Sequence, residues 1–358
     1  MHGSTSTGDS ARVQHLVDRH PSVSPERLIS QLRPPPTFSD VSFATYRPDP
    51  AEPTQAAALQ ACQDFCRAAE QRRAGRRKFF GRREALPGVG IYLDGGFGVG
   101  KTHLLASVYY QLPGSGPGVP DQPKAFATFG ELTQLAGVFG FTECIELLAD
   151  YTAVCIDEFE LDDPGNTTLV SRLLSALVER GVSVAATSNT LPEQLGEGRF
   201  AAQDFLREIN TLASIFTTVR IDGPDYRHRG LPPAPPAVSD EEVATRAAGT
   251  DGATLDDFDA LCAHLATMHP SRYLTLIEGV TAVFLTGVHG IDDQNVALRL
   301  VALTDRLYDA GIPVLASGAK LDTIFSGEML AGGYRKKYLR ATSRLLALTA
   351  AAHRVPEP

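Results

Sequence analysis

No apolar run in the sequence approaches the ~20 residues that a membrane-spanning helix needs, and the first ten residues are polar, with no apolar centre of the secretory kind. Cysteine is scarce. The five thiols (Cys62, Cys66, Cys144, Cys155 and Cys262) are odd in number and include no C-x-x-C pair, which argues against a disulfide framework or a structural zinc site. Cys62 and Cys66 stand one helical turn apart, but no second ligand pair accompanies them, so buried free thiols in a reducing compartment are expected. Positive charge is also short. With 33 Lys and Arg against 42 Asp and Glu, the net charge is −9, and nucleic acid gains no bulk electrostatic hold on such a chain. Together these features predict a cytoplasmic protein.

What is present has the mix of a globular protein: 43% hydrophobic and 21% charged residues over a length that suits one large domain and a smaller one. Residues 1–36 read as a leader, disordered at its start, with a short helix after Ser24-Pro25 and an end at Pro34-Pro35-Pro36. A helix is expected over residues 52–72. Residues 72–83 follow, and seven of these twelve are basic, with Phe79 and Phe80 among them. That run is either a solvated loop or a dock for an acidic partner or a phosphate backbone.

From Gly90 onward strands alternate with helices: strands near 91–93, 125–129, 153–156, 182–187 and 217–221, with helices between. Ala153-Val154-Cys155-Ile156 is apolar on both faces, as a parallel sheet covered on two sides demands. The fold class read from this is α/β, a doubly wound parallel sheet over residues 37–228, whose family the Gly95–Thr102 loop specifies as P-loop NTPase. Residues 229–252, rich in Pro, Ala and Gly, read as a linker. Residues 253–358 read as an additional C-terminal α/β unit ending in a helix. Residues 171–186 and 298–316 share the order helix, glycine stop, apolar strand, but the second copy has neither a Gly-rich loop nor an acidic strand end.

The chemistry centres on Gly95-Gly96-Phe97-Gly98-Val99-Gly100-Lys101-Thr102, a full match to G-x-x-x-x-G-K-S/T between a strand and a helix. Glycines let successive backbone N–H groups curl inward around phosphate oxygens, and the helix aims its positive end at the same anion. Lys101 would reach the β- and γ-phosphates, and the Thr102 hydroxyl would ligate Mg²⁺ in a shell otherwise largely of water and phosphate. Asp157-Glu158 ends the third strand. Asp157 is placed to hold Mg²⁺ through a water, and Glu158 to orient or deprotonate the water that attacks the γ-phosphate of ATP. Asn189, at the end of the fourth strand, is placed for the attacking water or the γ-phosphate. Arg199 and Arg207 are both candidates to neutralise the transition state of a neighbouring subunit, with Arg199 preferred. His103, inside the P-loop helix, reads as packing.

This set resembles the AAA+ ATPases, and within them the ZapE-type cell-division ATPase family, which has mitochondrial relatives. The resemblance rests on the P-loop and on Ile156-Asp157-Glu158-Phe159. It rests further on Ala186-Thr187-Ser188-Asn189-Thr190-Leu191-Pro192, on Asp225-Tyr226-Arg227 and on Arg340-Ala341-Thr342-Ser343-Arg344-Leu345. It implies an oligomeric, ATP-hydrolysing machine that acts on protein partners, the division machinery among them. It also implies Arg344 as a nucleotide-sensing arginine. Gly100-Lys101-Thr102-His103-Leu104-Leu105 also resembles replication initiators and helicase loaders, which keeps a DNA-associated ATPase as an alternative. An ATP-gated scaffold without turnover is a third reading.

Overall fold

The computed structural model describes residues 13–22, 24–76, 86–96, 98–113, 123–159, 164–191, 206–224 and 238–353. It divides into two compact units, Ser24–Arg229 and the pair of segments Met1–Val23 and Gly230–Pro358.

The first unit begins with α1 (Pro25–Ser30). Ser24 caps it by accepting the Arg27 N–H, and Pro25 occupies the first turn, where its missing N–H costs nothing. Leu28 and Leu32 are buried, and Phe126 N donates to Leu32 O, so this part of the leader packs onto the unit that carries the P-loop. The long helix α2 (Pro53–Arg76) buries Ala58, Cys62, Phe65, Cys66 and Ala69, a three-to-four-residue rhythm along one face.

The core of the unit alternates β1 (Gly90–Gly95), α3 (Lys101–Gln111), β2 (Ala125–Thr128), α4 (Phe129–Phe139), α5 (Phe141–Ala149), β3 (Ala153–Asp157), α6 (Pro164–Glu179), β4 (Ser183–Ser188), α7 (Leu206–Ile215) and β5 (Thr217–Ile221). The five strands form one parallel sheet in the order β2-β3-β4-β1-β5. The central strands are apolar on both sides because helices cover both faces. Ile91, Tyr92 and Leu93, Val154 to Ile156, and Val184 to Ala186 are all buried. Helix α6 adds Val170, Leu173, Leu174 and Leu177, all fully buried. Each large side chain of this kind stabilises the fold by roughly 1.5–3 kcal/mol.

Strand order places the P-loop beside the acidic strand end. The chain inserts β4 between β1 and β3, so the last residues of these three strands lie side by side. Leu93 pairs with Thr187, Asp94 with Ser188, and Ile156 with Ala186.

The second unit is built on a three-stranded parallel sheet in the order β6-β7-β8. Its elements are α8 (Asp240–Ala248), β6 (Ala253–Asp257), α9 (Phe258–Ala266), α10 (Tyr273–Leu276), β7 (Ala282–Val288), α11 (Gln294–Ala310), β8 (Val314–Gly318), α12 (Gly327–Ala331) and α13 (Arg335–Ala352). Residues 13–19 belong to this unit. Leu16 is fully buried in its core, the Asp256 carboxylate accepts the N–H groups of Leu16 (3.0 Å) and Val17 (3.1 Å), and Gln14 bridges to Thr254 at the sheet edge.

Two features differ from the sequence expectation. The leader, expected over 1–36, is shared between the units, with residues 13–19 in one and residues 24–36 in the other. The stretch 229–252, expected as a linker, contains α8. Ser239 caps that helix by accepting the Glu242 N–H, and three acids occupy its first turn, where the positive helix end favours them. Residues 225–237 lie outside the described residues.

Between α11 and α13 the Asp305 carboxylate, 16% exposed, pairs with the buried guanidinium of Arg340 (2.7 Å) and with that of Arg344. The Arg344 guanidinium also lies over the Tyr308 ring, 5.1 Å from its centroid. Burial pushes the Asp305 carboxyl up, but the two arginines outweigh it and hold it below the ordinary carboxylate value. Arg344, expected to sense nucleotide, is thus committed to a carboxylate inside the C-terminal unit.

All five cysteines are buried and unbridged, as expected. Burial pushes Cys144 and Cys262 up to about 11 and Cys66 to about 12, and raises Cys62 and Cys155 further. The thiolate is the reactive form, so native protein at pH 8 should react slowly with a thiol-modifying dye, and five equivalents should react once it is unfolded. Rapid labelling of the native chain would contradict this burial.

Candidate functional site

The P-loop follows β1 and leads into α3. Gly98 and Gly100 both take left-handed backbone angles (φ 67° and 89°), which side chains rarely adopt. At Gly100 the need is double, because an added Cβ would also fall 2.6 Å from the Tyr46 ring. Phe97 lies outside the described residues. The Lys101 ammonium donates to Gly95 O (3.0 Å), Gly96 O (2.5 Å) and Asn189 Oδ1 (2.7 Å), so the charge stands over the loop and touches the end of β4.

The Thr102 hydroxyl, on the first turn of α3, donates to Asp157 Oδ1 at 3.2 Å. Asp157 is only 7% exposed. A hydroxyl beside a nearly buried carboxylate is a pair of hard oxygen donors, which suits Mg²⁺ rather than a soft metal. Among the described residues no group of three or more His, Cys, Asp or Glu could hold a metal ion.

Glu158 follows Asp157 with φ 54°, the single described non-glycine residue at positive φ. Such a conformation costs about 1–3 kcal/mol and persists where surrounding contacts fix it. Here the fixing contacts come from β4. Thr187 Oγ1 accepts the Glu158 N–H (3.1 Å) and donates to Asp157 Oδ1 (2.5 Å), and Thr187 O accepts the Phe159 N–H (2.7 Å). Beyond β4, Thr190 N donates to Ser188 Oγ and Tyr92 Oη donates to Thr190 O, which holds the turn carrying Asn189.

Of the expected site residues, the structure therefore brings together Gly95, Gly96, Lys101, Thr102, Asp157, Glu158 and Asn189, with Gly98, Val99 and Gly100 in the loop. Arg199 lies outside the described residues, as do residues 77–83 of the basic run and Asp225-Tyr226-Arg227. Arg207 is exposed near the start of α7.

Several neighbours were not legible in the motif. Tyr46 donates to Val99 O (3.2 Å) and packs edge-on against His103. His103 in turn hydrogen-bonds Ser42 O and Thr45 Oγ1, so it braces the segment before α2 against α3, and burial lowers its pKa. Asp94, 1% exposed and one residue before the loop, pairs with Arg220 of β5 at 2.5 Å. A charged residue inside an otherwise apolar strand was the available signal for Asp94. Thr187 lies within the family-like run 186–192, but nothing local marks its partners.

Among the described residues no single helix is long and apolar enough to cross a membrane. The cell division protein ZapE of Escherichia coli (strain K12) is 28% identical over 313 residues, covering 75% of this chain and 80% of that protein. Lactation elevated protein 1 homolog B of Danio rerio is 26% identical over 172 residues, covering 41% of this chain and 32% of that protein. Among solved structures, AMPPCP-bound DnaA from Aquifex aeolicus covers 88% of this chain and 92% of its own, at 12% identity and a TM-score of 0.38. The family described as AFG1-like ATPase matches residues 22–247 and again 232–355, a span that holds the P-loop, the acidic end of β3, the Asn189 turn and the C-terminal unit alike. A parallel sheet with β4 set between the P-loop strand and the acidic strand, matched over nearly its whole length in this way, makes the chain a nucleotide-binding AAA+ P-loop protein that belongs to the AFG1-like ATPase family.

Proposed function

We propose that this site hydrolyses ATP to ADP and phosphate, within an assembly of several copies that acts on protein partners. The observation that carries the reading is the end of β4. Within three residues it contacts the P-loop lysine through Asn189, and through Thr187 both Asp157 at the end of β3 and Glu158 just after it.

In this reading the loop amides and the α3 N-terminus bind the phosphates, and Lys101 neutralises their charge. Thr102 and Asp157 would hold Mg²⁺, which when bound neutralises charge on the β- and γ-phosphates. Glu158, fixed in its left-handed conformation, orients the attacking water and takes its proton. Asn189 fixes Lys101 and offers its amide to the same water. The remaining need is a cation for the charge that spreads over the γ-oxygens, which an arginine of a neighbouring copy, Arg199 or Arg207, would supply. A role in cell division is proposed from the similarity to ZapE, and a cytoplasmic location goes with it.

The test is ATP turnover across a protein concentration series, with Lys101→Ala as the blank. Turnover that climbs faster than linearly and vanishes in the variant is expected. Turnover strictly proportional to protein concentration would remove the shared site, and binding without turnover at every concentration would remove hydrolysis. Stimulation by DNA with a steep salt dependence would instead favour a DNA-associated ATPase.

A further inference from the structure

We propose that Thr187 is a positioning residue for hydrolysis, the hydroxyl that sets the Mg²⁺-side carboxylate and the water-activating glutamate in one geometry; this rests on the hydrolytic reading above. Thr187 is 1% exposed and lies on β4, the strand between the P-loop strand and the acidic strand. Its side chain has one proton and two lone pairs. The proton goes to Asp157 Oδ1 at 2.5 Å, and a lone pair takes the Glu158 N–H at 3.1 Å. Its carbonyl takes the next amide, Phe159 N, at 2.7 Å. The backbone of Glu158 is thereby gripped on both sides, by one residue of another strand.

That grip acts on three groups at once. Asp157 Oδ1 receives two hydroxyls, Thr102 from the P-loop helix and Thr187 from β4, and the two together restrict its rotation. Glu158 is held at a φ of 54° that its own side chain disfavours, and the position of its carboxylate depends on that angle. Asn189, two residues along the same strand end, meets Lys101. A small shift of β4 along its axis therefore moves the contacts of the lysine, the aspartate and the glutamate together. The Thr187 hydroxyl meets Asp157 Oδ1 and the Glu158 N–H. It acts through the two acids.

A Thr that merely fills buried space would tolerate replacement by a side chain of the same shape. Thr187→Val keeps the β-branch and the volume and removes both hydroxyl contacts, while Thr187→Ser keeps the hydroxyl and removes a methyl. The measurements are kcat and KM for ATP, the Kd of a fluorescent ATP analogue, and the melting temperature of the full chain.

The expected result is a kcat lowered roughly ten- to a hundredfold in Thr187→Val, as small displacements of catalytic groups produce. Analogue affinity should stay within about twofold of wild type, and Thr187→Ser should recover most of the rate. A Val variant as fast as wild type overturns the inference, and so does a Ser variant as slow as Val, which would make the methyl the important group. Loss of analogue binding in step with kcat would also overturn it, by assigning Thr187 to binding. Absence of turnover in the wild type would overturn hydrolysis and this inference together, whereas wild-type turnover that Val retains removes this inference alone.

Discussion

Replacing Glu158 by Gln is expected to lower ATP turnover by roughly 10²–10⁴-fold, the usual contribution of a positioned general base, while nucleotide affinity stays near that of the wild type. The amide is nearly isosteric with the carboxylate, and Thr187 holds this segment through the backbone N–H groups of residues 158 and 159. The folded geometry should therefore survive, and only the capacity to accept a proton is lost. Phosphate binding draws on Lys101, the loop amides and the α3 N-terminus, none of which the substitution touches. Equilibrium binding of a labelled nucleotide, set beside steady-state phosphate release, separates the two quantities. A Gln variant that releases phosphate at the wild-type rate would take the base role away from Glu158. A variant that no longer binds nucleotide would show that the side chain supports the loop instead.

The second large effect lies in the C-terminal unit. Asp305→Ala should destabilise the chain by about 3–5 kcal/mol, the range seen when one partner of a buried ion pair is removed. The cost comes less from the lost attraction than from what remains, two buried guanidiniums, Arg340 and Arg344, deprived of their shared carboxylate. Stacking on Tyr308 keeps Arg344 in place and does not replace a counter-charge. Denaturant unfolding of the full chain, followed by a probe in the C-terminal unit, reads the difference, and a loss below about 1 kcal/mol would put the pair in the class of solvent-screened bridges.

The pH dependence gives an independent check. The folded carboxyl is held below its ordinary value, so its contribution is complete above the unfolded pKa of about 4 and is lost as pH falls through the lower folded value. The gap between wild type and Asp305→Ala should accordingly be full at pH 7 and close progressively below about pH 4.

The nucleotide site was legible to the extent that its parts are local. A P-loop is one contiguous stretch in which glycine spacing, a lysine and a following helix specify their own geometry. An acidic pair at the end of a four-residue apolar strand is also a short-range signal. The doubly wound class followed from strands buried on both faces. Helix α8 was missed because Pro, Ala and Gly dominate the composition of 229–252, although Ser239 followed by three acids is a helix start. Strand β6 was missed because Thr254, Asp256 and Asp257 make it half polar, and its two carboxylates are spent on the leader and on the cap of α9.

The sequence alone determined that the chain carries a phosphate-binding loop, an acidic strand end and the alternation of a parallel α/β sheet, because the first two are each written within ten or so consecutive residues and the third in the succession of short apolar strands and helices. Only the tertiary structure decided which strand stands between the loop and the acids, and with it the role open to Thr187. It alone paired Asp94 with Arg220, set Tyr46 beneath Gly100 and gave Arg344 to Asp305. Those pairings join residues tens to more than a hundred positions apart. Their partners are chosen by strand order and by the need to neutralise or hydrogen-bond each buried polar group, and neither is encoded in local spacing.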